Sequence, residues 1–543
     1  MNVIMILCDT LRRDHCSPYN HGRYLNECWS TYQPHWKVET PNMERLARRG
    51  TVFDNAYCGS TPCMPARRDI YTGRFEFLWR GWGPLNDEDA DLPCQISGPA
   101  DYSNRSIAKK IKEDSRISYL VTDHFHLWEC GAGNYHFGYT GCELIRGHEG
   151  DMWNTAPIEV PCPNDSRMTF DERHFRNAYL TRKSEEDYFA AQVFTKASEW
   201  LEANRSLKNF YLHIDCFDPH EPWDPPEKYL KMFDERGYDV PDWKARAPYD
   251  YWENTMKEEQ YHHLRARYAA TVVFLDHWFG KLLDTIDNLD LWKDTLVIFS
   301  TDHGTFNGDF GRMGKLQTHE YDACGHIPLI IYHPVYGHGE RRSQLVQPVD
   351  FYPTVLNAVG KSLPRNASNM NRDEVLGGLR DRNDGKVKAG ANSADDFLRL
   401  LMQPGMDSIH GVDILPVFEN KDAKTHDYAI MGQYGKSVSI TDGHWILHQS
   451  PVEGNAPLYW HDYCLARFLR YDLGEYHDGY REVYNCNAWK EPTWLSNKDN
   501  DMSEFVNLAE KHPEKVLEMQ HALKQVMTEI GAPPEQFIRL GLE

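Results

Sequence analysis

The chain opens on Val3-Ile4-Met5-Ile6-Leu7, a continuous apolar run that leads to the acid Asp9. Thr295-Leu296-Val297-Ile298-Phe299 repeats the pattern far down the chain and leads to Asp302-His303-Gly304. Short apolar runs without alternation belong to strands buried on both faces, as in a parallel sheet. Such a sheet gathers ligands beyond the carboxyl ends of its strands, so the two runs bring Asp9, Asp302 and His303 to one edge. Two carboxylates and one imidazole suit a divalent cation, Ca2+ first and Mn2+ as the alternative, better than Zn2+ with its tetrahedral nitrogen and sulfur preference.

Further strand-like runs end near Val121, Ile214 and Ile331, and helical spacing covers Ser184 to Ala203 and Arg265 to Asn288. Ser184 and Asp187 stand in capping-box positions. The alternation predicts an α/β fold with a large, mostly parallel central sheet covered by helices on both faces. A catalytic domain is expected over 1–418, interrupted by a polar insertion at about 364–410 that reads as a solvated excursion. A smaller C-terminal α+β subdomain over 419–543 is expected to hold a small antiparallel sheet, with strands at Tyr428 to Met431 and Trp445 to His448, and a final helix from Pro513 to about Ile530. A second excursion, Cys130 to Trp153, carries Tyr139, Glu143, Arg146, His148, Glu149 and Asp151, and is expected to border the site as a specificity loop.

Cys63-Met64-Pro65-Ala66-Arg67 is a C-x-P-x-R string. It resembles the signature of the type I sulfatases of the alkaline phosphatase superfamily, in which the cysteine is oxidised to formylglycine by a maturase. The resemblance continues in order through Thr72-Gly73-Arg74, Pro219-His220-Glu221-Pro222, Gly314-Lys315 with Glu320, Ile327-Pro328-Leu329 and Asp350-Phe351-Tyr352-Pro353-Thr354. Tyr471-Asp472-Leu473 and Val506-Asn507-Leu508-Ala509 are similar to the closing motif of the family, split by an insertion. The resemblance implies an alkaline phosphatase-like fold and a sulfuric ester hydrolase acting through a formylglycine hydrate. It implies Asp9, Asp302, His303 and the modified Cys63 as metal ligands, and Lys315 on a sulfate oxygen and the leaving group. His220 matches the family general acid. His126 and His124 align with a Lys-x-His element, His126 as the base that lets sulfate go and His124 as a substrate contact, with Thr122 as a further contact. Arg67, four residues after Cys63, falls on the same face of a helix opened by Pro65 and would stabilise the nucleophile. Many sulfatases carry two adjacent aspartates where this chain has Asp9-Thr10, and some phosphonate monoester hydrolases resemble it there. A phosphonate monoester or phosphodiester hydrolase on the same site is therefore the alternative, and a catalytically silent anion-binding relative is a third.

Among 543 residues the acids outnumber the bases, 81 to 59, for a formal charge of -22. That field argues against nucleic acid and acidic membrane surfaces as partners and favours a small sulfated substrate reaching one local positive pocket. The 16 Trp and 30 Tyr are compatible with carbohydrate stacking. No stretch reaches the about 20 apolar residues that span a bilayer. Met1-Asn2 leads straight into the first run, and the 13 cysteines lack a C-x-x-C pair, so a cytoplasmic protein with reduced thiols is expected. A homo-oligomer is compatible with the sequence.

Overall fold

The computed structural model describes residues 1–28, 32–85, 116–129, 132–157, 168–315, 318–361, 409–461, 472–477, 480–484 and 491–543. Nearly all of the polar insertion lies outside them, as do Cys130 at the start of the second excursion and Tyr471 of the closing motif.

Eight strands form the main sheet: β1 (Asn2–Cys8), β2 (Thr51–Ala56), β3 (Ser118–Thr122), β4 (Gly141–Leu144), β5 (Tyr211–Cys216), β6 (Thr295–Thr301), β7 (Leu329–Tyr332) and β8 (Glu340–Val346). Their spatial order is β8-β2-β7-β6-β1-β5-β3-β4. β7 runs antiparallel to both neighbours, and every other pair is parallel. The first apolar run thus sits at the centre. Ile4, Ile6 and Cys8 join one apolar cluster and Val3, Met5 and Leu7 the other, which is the period-2 alternation of a strand covered on both faces.

Helices α1 (Pro41–Arg49), α2 (Cys63–Thr72), α3 (Phe189–Ala203), α4 (Glu258–Asn288) and α5 (Phe351–Ala358) supply the covers. Buried side chains of α1, α3 and α4 share the first cluster, and those of α2 and α5 the second. Two boundaries differ from the sequence expectation. The Ser184 box closes a 3-10 turn at Glu185–Asp187, with Ser184 N donating to Asp187 Oδ2 at 2.9 Å, and extended Tyr188 separates that turn from α3. α4 begins seven residues before Arg265, because Gln260, Tyr261 and Leu264 bury a face that the polar letters around them conceal.

A second sheet contains β9 (Ala429–Gln433), β10 (Val438–Thr441), β11 (Trp445–Gln449) and β12 (Trp494–Asn497), antiparallel to one another in the order β12-β11-β10-β9. Its open edge is taken, in parallel, by Ser60–Thr61 from the N-terminal half. Helix α6 (Pro513–Glu529) packs Met519, Leu523 and Met527 onto this sheet together with Phe77 and Leu78. Asp472 and Leu473 of the closing motif lie in a strand, Asp472–His477, of a further three-stranded sheet. Among the described residues no helix is long and apolar enough to cross a membrane.

Candidate active site

Parallel register sets Cys8 beside Thr301, so Asp9 and Asp302 leave the sheet side by side. Asp302 Oδ1 accepts from the backbone N–H of Thr10 (3.0 Å) and of His303 (2.8 Å), and its Oδ2 accepts from Arg67 Nη1 at 2.8 Å. His303 Nδ1 lies 2.8 Å from the Gly304 carbonyl. A carbonyl can only accept, so Nδ1 carries the proton and Nε2 keeps its lone pair. That Nε2 is buried without a hydrogen-bond partner, 3.3 Å from Asp302 Oδ2. Gly304 makes the turn possible, because a Cβ there would stand 2.2 Å from the Ala323 carbonyl oxygen.

Cys63 is the first residue of α2. Its approach is fixed by Asp69, which accepts from Ser60 N and Ser60 Oγ, both at 2.7 Å, and by the 2.6 Å bond from Thr61 Oγ1 to Glu320. Cys63 Sγ ends 3.7 Å from Asp9 Oδ1 and 3.5 Å from Lys315 Nζ. Burial, followed by the charge of Asp9, pushes the thiol pKa well above its usual range. In this setting the unmodified side chain is a protonated thiol and a poor nucleophile. Ligand atoms of Asp9, Cys63, Asp302 and His303 all lie within 4.8 Å of one another. Donors about 2.3–2.6 Å from a central Ca2+ stand up to roughly 5 Å apart across it, so the cluster has the span, the carboxylates and the orphaned imidazole nitrogen that a divalent cation needs.

Arg67 is fully buried one turn along α2. Its Nη1 bridges Asp9 Oδ2 (2.9 Å) and Asp302 Oδ2, while Nε and Nη2 fork onto Asp215 at 2.8 and 2.6 Å. Burial opposes its charge, and Asp215, Asp9 and Asp302 overcome that cost, holding the guanidinium charged. Asp215, in register with Leu7, is the functional residue that the sequence reading missed. Its signal was available, an acid at the end of an apolar run like Asp9. With Asp215 included, the local positive excess expected from Arg67, Lys315 and a divalent cation over Asp9 and Asp302 shrinks by one charge.

Lys315 Nζ stands 3.5 Å from Thr10 Oγ1 as well as from Cys63 Sγ. Burial disfavours its ammonium, yet its pKa stands well above the ordinary value, and the charged neighbours that hold it there are Glu221 and Asp9. His220 Nδ1 donates to the Glu221 carbonyl at 2.6 Å, which leaves Nε2 for chemistry, and the ring stacks on Phe217 at 4.1 Å. Burial lowers the His220 pKa.

Thr122, His124 and His126 lie at and just after the end of β3. His126 has Nδ1 against Glu129 Oε1 and Nε2 3.3 Å from Glu149 Oε2. Burial works against its charge, but Glu129 and Glu149 push its pKa up to about 9. Glu129 at Nδ1 and Glu149 within ion-pair distance of Nε2 favour the charged ring, which weighs against the base role the resemblance implies for His126. His124 is the neutral imidazole: neither nitrogen has a hydrogen-bond partner, Nε2 lies 4.0 Å from Asp9 Oδ2, and burial and then Arg67 hold its pKa well down. The Thr122 hydroxyl accepts from His124 N at 3.0 Å and so helps to shape the turn. Of the second excursion, Glu149 reaches the site, fixed by Arg246 Nη1 at 2.6 Å.

The sulfatase family model matches residues 1–80 and 140–361, more than half of the chain. Arylsulfatase K of Xenopus laevis is 23% identical over 435 residues, covering 75% of this chain and 71% of that protein. An arylsulfatase of Clostridium perfringens is 22% identical over 407 residues, covering 69% of this chain and 78% of its own. Among solved structures, a protein in complex with its substrate D-glucosamine-2-N,6-O-disulfate superposes with a TM-score of 0.61 at 16% identity, over 97% of this chain and 98% of that one. The phosphonate monoester hydrolase of Agrobacterium radiobacter does so with a TM-score of 0.60 at 16% identity, over 97% and 96%. Similarity at that identity speaks to the fold alone, which is the alkaline phosphatase-like one.

Proposed function

The chain belongs to the sulfatase family, and from that premise we propose that it hydrolyses a small sulfated carbohydrate or related organic sulfate through Cys63 oxidised to formylglycine, with one divalent cation, Ca2+ or Mn2+. The supporting observation is that Cys63 Sγ lies with Asp9, Asp302 and His303 in one cation-sized cluster, with Lys315 against it. The aldehyde and the cation together supply a hydrated, activated oxygen nucleophile for sulfur and a carbonyl whose re-formation releases sulfate.

The remaining work falls to side chains of the protein. Asp9, Asp302 and His303 would hold the cation, and Arg67 keeps both carboxylates aimed at it. Lys315 places its charge where the ester oxygens become more negative. His220 can act as general acid from Nε2 only as the imidazolium, which the Glu221 carboxylate, 3.7 Å from Nδ1, favours against burial; the Glu221 carbonyl orients the ring. His124, neutral and unpartnered, takes the base role expected for His126. The buried carboxylates Asp9, Asp302, Asp215 and Glu221 exceed Arg67 and Lys315 by two charges, which a divalent cation would offset before an anionic sulfate ester enters.

Protein coexpressed with a formylglycine-generating maturase tests this reading. The peptide containing residue 63 should carry the aldehyde, and cation-loaded protein should release sulfate from an aryl sulfate and from members of a sulfated mono- and disaccharide panel. Matured, metal-loaded protein that leaves every sulfate ester intact would overturn it. One observation favours the second reading, a phosphonate monoester hydrolase. Thr10, in place of a second aspartate, sets its hydroxyl on Asp9 Oδ1 near Lys315 and removes a negative charge from the pocket. Faster turnover of an aryl phosphonate than of the matching aryl sulfate would select that reading.

A further inference from the structure

A cavity of about 190 Å³ opens beside the segment that follows β1, and its lining shares no residue with the active site. Arg13, Arg23 and Arg341 line it together with Tyr19, His21 and Asp54. The Arg13 guanidinium lies 4.3 Å over the Tyr19 ring and that of Arg341 lies 5.7 Å from the same ring, so both converge on one wall. Asp54 is the carboxylate they share: it pairs with Arg341 and stands 3.9 Å from Arg13 Nη2. Asp14 also borders the cavity, but Arg12 and His15 occupy it at 2.7 and 2.8 Å. Arg13 Nε is buried with no acceptor. Arg23 donates to the Asn20 carbonyl at 3.3 Å, and among the described residues no carboxylate pairs with it. Three guanidiniums against Asp54 and Asp14 leave an excess of one positive charge among the lining residues in a protein whose total is -22. His21 reports the same field: some burial, then Arg341, Arg23 and Arg13, lower its pKa.

We propose that this cavity is a binding site for a small, doubly charged tetrahedral oxyanion, sulfate or phosphate, held by Arg13, Arg23 and Arg341. The net positive lining attracts an anion, and guanidinium forks suit paired oxyanion oxygens. The size decides between an ion and a saccharide, since pockets for drug-sized molecules run to about 300–1,000 Å³. A bound oxyanion would tie the segment after β1, which carries Arg13 and Arg23, to β8 through Arg341, and a ligand that binds only the folded state stabilises it by mass action.

The test is thermal melting and titration calorimetry with sodium sulfate and, separately, sodium phosphate at pH 7.5, against sodium chloride at equal ionic strength. Wild-type protein and Lys315→Ala, which strips a cation from the active site, should both be stabilised beyond the chloride control. Arg23→Gln, on a solvent-facing side chain that folding does not need, should weaken the apparent dissociation constant about tenfold, Arg23→Lys should restore part of it, and Arg13→Gln/Arg23→Gln should abolish it. A response to either ion supports the site and names its preference. Equal sulfate and phosphate dependence in Arg23→Gln and wild type would overturn the proposal. So would loss of the response in Lys315→Ala alone, which would move the ion to the active site, or no response beyond chloride.

Discussion

An imidazole gripped by two carboxylates belongs to the stability of a protein as much as to its chemistry. Below about pH 6.5 His126 is protonated in the folded and unfolded chain alike, and its pairs with Glu129 and Glu149 contribute in full. Between that value and its folded pKa of about 9 folding must take up a proton, so the contribution falls as pH rises and is gone above the folded pKa. Urea unfolding of wild type should lose up to roughly 3 kcal/mol more across pH 6.5–9.5 than His126→Gln does; parallel pH profiles would refute the pairing. The same contrast separates neighbours by function, since His124→Gln should cut turnover of matured enzyme with little change in stability. Asp215→Asn removes the forked partner of buried Arg67, while Asp9 and Asp302 remain. About 3 kcal/mol is expected, at the low end for breaking a buried pair, read as a lower urea midpoint at unchanged m-value. The chemistry-bearing letters Asp9, Cys63, Arg67, Asp302, His303 and Lys315 were legible because each is tied to a strand end or to a motif. Asp215 and the opposite states of His124 and His126 were not. Protonation depends on which carboxylates fold against a ring, and Glu149 reaches His126 from a different segment.

At the scale of elements, strand ends set the geometry and a single turn sets the tolerance. β6 delivers Asp302 and His303 through Gly304, where an added Cβ would stand 2.2 Å from a backbone oxygen. Backbone cannot yield as a flexible side chain does, so Gly304→Ala must shift the strand end. Overpacking of this kind costs about 1–3 kcal/mol, and the displaced His303 should weaken cation-dependent thermal stabilisation as well as turnover. A variant with wild-type response to Ca2+ and Mn2+ would show that the turn has room. The sheet itself was readable from uninterrupted apolar runs, and β1, β5 and β6 fall where those runs are. β7 was visible as a strand but not in its direction, since antiparallel pairing leaves no mark on a run buried on both faces. The parallel addition of Ser60–Thr61 to β9 was equally silent: two residues carry no period, and the partner lies in the other half of the chain.

That addition makes the two halves of the molecule one mechanical unit. The C-terminal sheet holds the chain two residues before Cys63, and a buried charge cluster ties it down a second time. Lys498, just past β12, donates to both Asp322 oxygens and, at 2.7 Å, to Tyr57 OH, while Glu504 accepts from Asp322 N at 3.2 Å and contacts His448 Nε2 at 2.8 Å. Burial opposes the charge of Lys498, and Asp322 and Tyr57 raise its pKa in spite of it. Lys498→Ala leaves Asp322 buried without its cation, which should cost about 3–5 kcal/mol. Lys498→Met/Asp322→Asn removes both charges and should recover more than half of that loss, because what is expensive is an unpaired charge in a dry interior. Since Ser60–Thr61 is paired to β9, each variant should still melt in one calorimetric transition, with residual activity lost at the same temperature as tertiary structure. Two separate transitions, with activity outlasting the first, would mean that the C-terminal sheet can leave without disturbing Cys63, which would then owe its position to α2 and Asp69 alone.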